Sequence, residues 1–288
     1  MTTNPIFCVW CPPYLEWSGG SIALHRLVHV LADKGYETYA VGCHKSDTLK
    51  GGLITEDKIN DFVQYNNDRV IMIYPEVISG NPYYANNVVR WLLNDPMATI
   101  GISPDFEGEH LFTYCDFYKG IYTDRIIAEL STFDLRLDSY VDKGQHVKGK
   151  VCYTIRKGTR TVRDKHPDDA IQILDYQDQQ LGEDLIKIFD ECETFVSYDA
   201  NTFLSVHAAL RGCNSIVIPY EGVSKEQWRD NAIYLKYGVA YGWEDLDYAI
   251  QTRPLMRGYL REYEVRSDKQ VDAFIQYCIN LLSPTSRP

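Results

Sequence analysis

The chain has 288 residues and a formal charge of −11, with 45% hydrophobic and 24% charged residues, a balance that supports a sizeable core in one large or two ordinary domains. The acidic surplus excludes a nucleic-acid backbone as the main partner, because a phosphate-tracking face needs clustered cations. No apolar run approaches the roughly 18–20 residues of a spanning helix, and MTTNPIFCVWCPP lacks the basic start and cleavage-like site of a leader, so a soluble, cytoplasmic protein without a transmembrane segment is expected.

Ile6–Cys11 (IFCVWC) reads as a first strand, and GGSIALHRLVHVLADKG as an amphipathic helix with Leu24, Leu27, Val28 and Leu31 on one face and Gly35 as its stop. ETYAVGC and Arg69–Pro75 (RVIMIYP) read as further strands, SGNP as a turn, and YYANNVVRWLLND as a helix ended by Asp95-Pro96. Short strands are expected at HLFTY and FDLRL. The polar VDKGQHVKGK (Val141–Lys150) marks a domain boundary, giving domains 1–145 and 146–288. Beyond it come strand VCYTIR, a strand or helix AIQILD, helix GEDLIKIFDEC, strand TFVSY, a helix over 201–211 and strand SIVIP. Helices SKEQWRDNAIYLKYG and EDLDYAIQT follow, then a last amphipathic helix over 268–282, placed to pack back on the first domain. Apolar strands alternating with helices predict an α/β fold of two doubly wound, Rossmann-like parallel-sheet domains.

The residues that could carry chemistry cluster where strands give way to helices. Gly19-Gly20-Ser21 stands between the first strand and first helix, where glycines admit a ligand to the helix N-terminus, or where Ser21 simply caps a tight turn. It is not G-x-G-x-x-G, and a nicotinamide site is weakly supported. Glu76 directly follows the third strand, where a carboxylate can hold a hydroxyl or act as a general base, or be a solvated loop acid. His25 and His29 have metal-ligand spacing, but Arg26 stands where a metalloprotease has Glu, and no metal is expected. His25 remains a second candidate for proton transfer, one turn from the glycines. Arg156, Lys157 and Arg160 surround Gly158 at the end of a strand, an arrangement that suits a diphosphate and also suits a solvated turn. Asp245-x-Asp247 opens a helix and reads as capping; the acids of SPDFEGEH read as a solvated loop. CVWC lies in a strand, and the eight cysteines read as reduced core thiols. The 22 tyrosines suit sugar-binding surfaces and suit strands equally.

SGGSIALHRLVHVLADKGYETYAVG and SYDANTFLSVHAALRGCNSIVIP together resemble the GT-B glycosyltransferases, specifically the family-4 or "group 1" type, of which this chain would be a short, divergent member. Aligned on AALRGCNSIVIP, Asp199 falls at the family's first donor-site glutamate and His207 at its second, while Thr202 and Phe203 fall in what is normally a glycine-rich turn. The resemblance implies two domains facing a cleft and metal-independent transfer of a hexosyl or deoxyhexosyl group, in glycan biosynthesis, from a nucleotide diphosphate-sugar donor to a saccharide hydroxyl. It implies donor binding by Gly19, Gly20, Arg156, Lys157, Tyr198, Thr202 and His207, with Asp199, Glu76 and His25 as catalytic candidates and no other cofactor. Replacement of both family glutamates keeps a non-catalytic nucleotide-sugar or glycan-binding protein as the alternative.

Overall fold

The computed structural model describes residues 4–15, 18–42, 49–115, 119–132, 137, 140–155, 164–173 and 181–283. The chain divides into two compact units: Met1–Leu15 with Gly20–Asp134 and Glu264–Pro288, and Glu16–Gly19 with Leu135–Tyr263. Among the described residues no helix is long and apolar enough to cross a membrane.

In the first unit β1 (Ile6–Trp10), β2 (Glu37–Val41), β3 (Gly52–Ile54), β4 (Val70–Pro75), β5 (Asn87–Leu92), β6 (His110–Thr113) and β7 (Ile126–Glu129) form one parallel sheet in the order β3-β2-β1-β4-β5-β6-β7. β1 and β4 are in register from Ile6–Val70 to Val9–Ile73, and every residue of β4 is buried. A strand covered on both faces needs such an unbroken apolar run. α1 (Gly19–Asp33) lays Leu24, Leu27, Val28 and Leu31 into the core; each such side chain contributes ~1.5–3 kcal/mol of burial. The helix ends in a Schellman turn: Tyr36 N–H donates to Leu31 C=O, Gly35 N–H donates to Ala32 C=O, and Gly35 takes φ +89°. That left-handed conformation suits glycine. α2 (Glu56–Asn66) and α3 (Pro96–Ile100) complete the early part of this unit. The last helix, α8 (Met256–Leu281), spans residues of both units, and its Phe274 packs on Phe7 and Phe112.

In the second unit β8 (Val147–Thr154), β9 (Ile171–Gln172), β10 (Cys192–Ser197), β11 (Asn214–Val217) and β12 (Val239–Tyr241) form a parallel sheet in the order β12-β11-β10-β8-β9. Its helices are α4 (Leu181–Glu191), α5 (Phe203–Leu210), α6 (Lys225–Asn231) and α7 (Leu246–Thr252). In each sheet the strand order reverses once, between β1 and β4 and between β8 and β10, and the carboxyl edge at such a reversal leaves a crevice suited to a ligand.

Several expected elements differ. The core of the predicted helix YYANNVVRWLLND is instead the inner strand β5, with Arg90 and Trp91 fully buried. A short apolar run fits a doubly covered strand as well as one helix face, and Val88, Val89 and Trp91 favour the strand. The polar stretch read as a linker becomes β8 from Val147. The helix expected over SKEQWRDNAIYLKYG stops at Asn231 and gives way to a 3₁₀ turn, after which Gly238 (φ +74°) leads into β12. α8 begins at Met256 rather than near residue 268. FDLRL lies largely outside the described residues. The cysteines of the described residues are buried free thiols, and burial pushes Cys8 and Cys213 up to about 12.

Candidate functional site

At the reversal point of the first sheet, the loop after β1 and the start of α1 are sewn together. Ser21 Oγ accepts Leu15 N–H at 2.9 Å and donates to Pro13 C=O at 2.9 Å. Ser21 is therefore the third residue of α1 and a loop clip, not its N-cap. His25 is fully buried; its Nε2 hydrogen-bonds Pro12 C=O at 2.8 Å, so Nε2 carries the proton, and Tyr14 packs edge-on against the ring. His29 instead accepts Lys50 N–H through Nδ1. Among the described residues no group of three or more His, Cys, Asp or Glu could share a metal ion.

Glu76 sits at the carboxyl end of β4, 4% exposed, and its Oε2 accepts Leu93 N–H at 2.9 Å. A Cβ on Gly20 would lie 3.8 Å from Leu93 Cδ1, so Gly20, Leu93 and Glu76 share one corner of this edge. Gly19 opens α1. Beneath the corner lies a residue that pattern reading missed. Arg90 is 0% exposed and every N–H of its guanidinium has an acceptor: Nε and Nη2 fork onto the Glu109 carboxylate at 2.7 and 2.9 Å, Nη1 donates to Pro75 and Ile78 C=O, and Nη2 to Gly80 C=O. Tyr74 and Phe106 place their rings 5.2 and 4.7 Å from the guanidinium carbon, and Phe106 takes φ +48° there. An unpaired charge so deep would be strongly destabilising. Glu109, expected to lie in a solvated loop, is thus a buried partner.

At the reversal point of the second sheet, Thr154 ends β8 in register with Ser197, which ends β10. The chain then turns through Tyr198–Thr202 into α5. Ser197 Oγ accepts Asp199 N–H and donates to Asp199 C=O; Asp199 Oδ1 accepts Asn201 N–H; Thr202 Oγ accepts Leu204 N–H as the N-cap. The backbone of this turn is also held by aromatic side chains: Tyr220 Oη accepts Ala200 N–H, and Trp228 Nε1 donates to Ala200 C=O. Tyr198 is fully buried, and its hydroxyl is engaged by Lys165 N–H at 2.6 Å and His166 Nδ1 at 2.7 Å. It thereby ties Lys165 and His166 to the end of β10.

Several polar atoms here lack partners among the described residues, as do a few elsewhere such as Ser215 Oγ and His146 Nε2. Asp199 Oδ2, both amide atoms of Asn201, Thr154 Oγ1 and Ser205 Oγ are buried and have no hydrogen-bond partner among the described residues. Asp199 is 4% and Asn201 8% exposed. Buried polar groups are nearly always paired, and each orphan costs about 1–3 kcal/mol. A cluster of them at the carboxyl edge of a parallel sheet, beside a helix N-terminus, is the chemistry of a polar-ligand site. Asn201 was not singled out by pattern, although its place between an acid and an N-cap was a signal. Arg156, Lys157 and Arg160 lie outside the described residues.

His207 lies further along α5, 7% exposed, with Nε2 3.0 Å from Tyr140 Oη. Burial, helped by the charge of Arg211, lowers its pKa from 6.5 to about 4. The unfolded chain therefore binds this proton first as pH falls, so the neutral imidazole stabilises fully above pH 6.5. That contribution is lost as pH drops toward 4, by on the order of 3 kcal/mol. Urea midpoints measured across that interval should fall in the parent protein and fall distinctly less in His207→Gln; parallel curves would contradict a neutral buried His207.

Asp245 does not cap α7. It is buried, accepts Tyr241 N–H at 3.0 Å, and pairs with Arg229 and Lys225. Neutralised in this way, it is a structural anion.

No family model and no curated protein matches the chain. Among solved structures, it is similar to a glycosyltransferase from Rickettsia africae ESF-5, with a TM-score of 0.51 and 9% identity over 98% of this chain and 100% of that one. At that identity the likeness speaks for a glycosyltransferase-like α/β fold with two parallel sheets.

Proposed function

We propose that this chain is a GT-B glycosyltransferase that moves a sugar from a nucleotide diphosphate-sugar to a saccharide hydroxyl. The observation that carries the reading is the orphaned polar cluster of Thr154, Asp199, Asn201 and Ser205 at the reversal point of the second sheet. Its groups are hydroxyls, an amide and one carboxylate, which suit the hydroxyls of a sugar. Asp199 accepts from donor-sugar hydroxyls; Asn201 can both donate and accept.

The leaving diphosphate needs positive potential. A helix N-terminus offers roughly half an elementary charge, which α5 behind Thr202 supplies, but this is too little to neutralise the charge that develops as the sugar departs. Arg156 and Lys157, which follow β8 closely in sequence, provide the remainder in this proposal, and no metal is required. Gly20 leaves space at the start of α1, whereas Gly19 is closed over by the Phe203 ring, 2.7 Å from where a Cβ would stand, and Glu76 orients or deprotonates the acceptor hydroxyl. His25, buried and holding Pro12, supports the loop more readily than it exchanges a proton.

A second reading is a degenerate, non-catalytic nucleotide-sugar-binding protein. The engagement of His207 with Tyr140, at the position of the family's second glutamate, favours it. One experiment separates the two. Incubation with a panel of nucleotide-sugars and saccharide acceptors should release free nucleoside diphosphate, and Glu76→Gln should bind donor normally while releasing on the order of 10²-fold less. Donor binding without release in the parent protein would favour the non-catalytic reading, and neither binding nor release would refute both.

A further inference from the structure

We infer that Arg90 is a positioning residue for Glu76, an inference that rests on the reading of Glu76 as the acceptor-side carboxylate. The carbonyls that Arg90 holds, those of Pro75, Ile78 and Gly80, bracket Glu76 in the chain. β4 ends at Pro75, and no helix follows before β5, so within the chain one turn bond, Ile78 N–H to Pro75 C=O at 3.2 Å, fixes this turn. The guanidinium does so too, from below. It reaches the carbonyl before Glu76 and two after it, and its own orientation is fixed by the Glu109 fork and by the rings of Tyr74 and Phe106. The left-handed φ of Phe106, costly for a non-glycine residue, is consistent with a geometry held by that packing. The carboxylate above then reaches Leu93 N–H, the first residue past β5, and so stays at the carboxyl edge. Lysine cannot replace this arrangement. A planar fork can serve a carboxylate and several carbonyls together, whereas an ammonium has fewer donors and no fixed plane.

A residue that acts only on overall stability would loosen the whole unit. A positioning residue loosens one corner, and that difference is measurable without any substrate. Amide hydrogen exchange in Arg90→Lys should be on the order of tenfold or more faster at Leu93, with Met72 and Val89, in the middle of β4 and β5, far less affected. Glu109→Gln, which keeps the packing and weakens the fork, should show the same local pattern more mildly and serves if Arg90→Lys does not fold. In turnover, both variants should lose acceptor transfer, by up to on the order of 10²-fold in kcat, with donor affinity retained. Uniform acceleration across β4 and β5, or unchanged exchange at Leu93 in both variants, overturns the inference. Selective loosening of Leu93 in a protein whose Glu76→Gln form turns over normally leaves Arg90 as the holder of Glu76 and removes Glu76 from the reaction.

Discussion

Arg90→Met should be among the most destabilising single substitutions in this protein, costing the first unit at least about 5 kcal/mol. Removing one member of a buried ion pair typically costs ~3–5 kcal/mol, because the partner charge remains desolvated. Here the Glu109 side chain, 10% exposed, would be left without its cation. The carbonyls of Ile78 and Gly80 would lose this donor as well, each at roughly 1–3 kcal/mol if no water reaches it, whereas Pro75 C=O keeps Ile78 N–H. The rings of Tyr74 and Phe106 would keep an apolar neighbour, so packing offsets only part of this. Against the roughly 5–15 kcal/mol that holds a domain folded, such a loss is close to complete. The comparison with the double variant Arg90→Met/Glu109→Leu is informative. A simple buried ion pair can be exchanged for apolar residues at little cost, but here the orphaned carbonyls of Ile78 and Gly80 remain. The double variant should therefore recover only the charge penalty and stay well below the parent. Equilibrium urea unfolding read by exchange of β4 and β5 amides measures both. An Arg90→Met cost under about 1 kcal/mol would show that water or a shifted turn replaces the guanidinium.

The parts of the fold that were legible in the sequence are those with an unbroken local signal. β1 and β4 announce themselves as apolar runs, α1 by the spacing of Leu24, Leu27, Val28 and Leu31, and its end by Gly35. The segment from Ser197 to Thr202 was legible as the end of a strand running into a helix. β5 was not, because Asn87–Leu92 is too short for period to separate strand from helix, and an arginine at its centre argues against burial until its partner is known. That partner, Glu109, is 19 residues away, and no local pattern links the two. Asp245 shows the same limit in reverse: an acid opening a helix reads as a cap, and only the positions of Arg229, Lys225 and Tyr241 N–H reveal its actual bonds. Side-chain satisfaction is a property of the assembled fold. Sequence therefore located the ends of the strands, and only the assembled fold distinguishes the polar atoms there that are paired from those that are not.

That distinction gives the sharpest expectation for the second unit: Asn201→Leu should raise stability and destroy donor binding at once. Leucine has nearly the length of asparagine and brings no donor or acceptor. Were Asn201 a structural residue, its amide would have partners, and removing it would strand them and cost stability. Neither its Oδ1 nor its Nδ2 has a partner among the described residues, so the substitution strands nothing and removes a desolvation penalty of about 1–3 kcal/mol. The melting temperature of the unliganded protein should rise by a few degrees, at about 2–4 °C per kcal/mol. On the proposed function, affinity for a nucleotide-sugar found to bind the parent protein should fall on the order of 10²-fold by calorimetry, since the same atoms are the ones a ligand would pair. Opposite signs for stability and binding are the mark of a group kept for function at the expense of the empty fold. A lower melting temperature with binding intact would instead make Asn201 part of the scaffold, and the candidate site would then have to be sought without it.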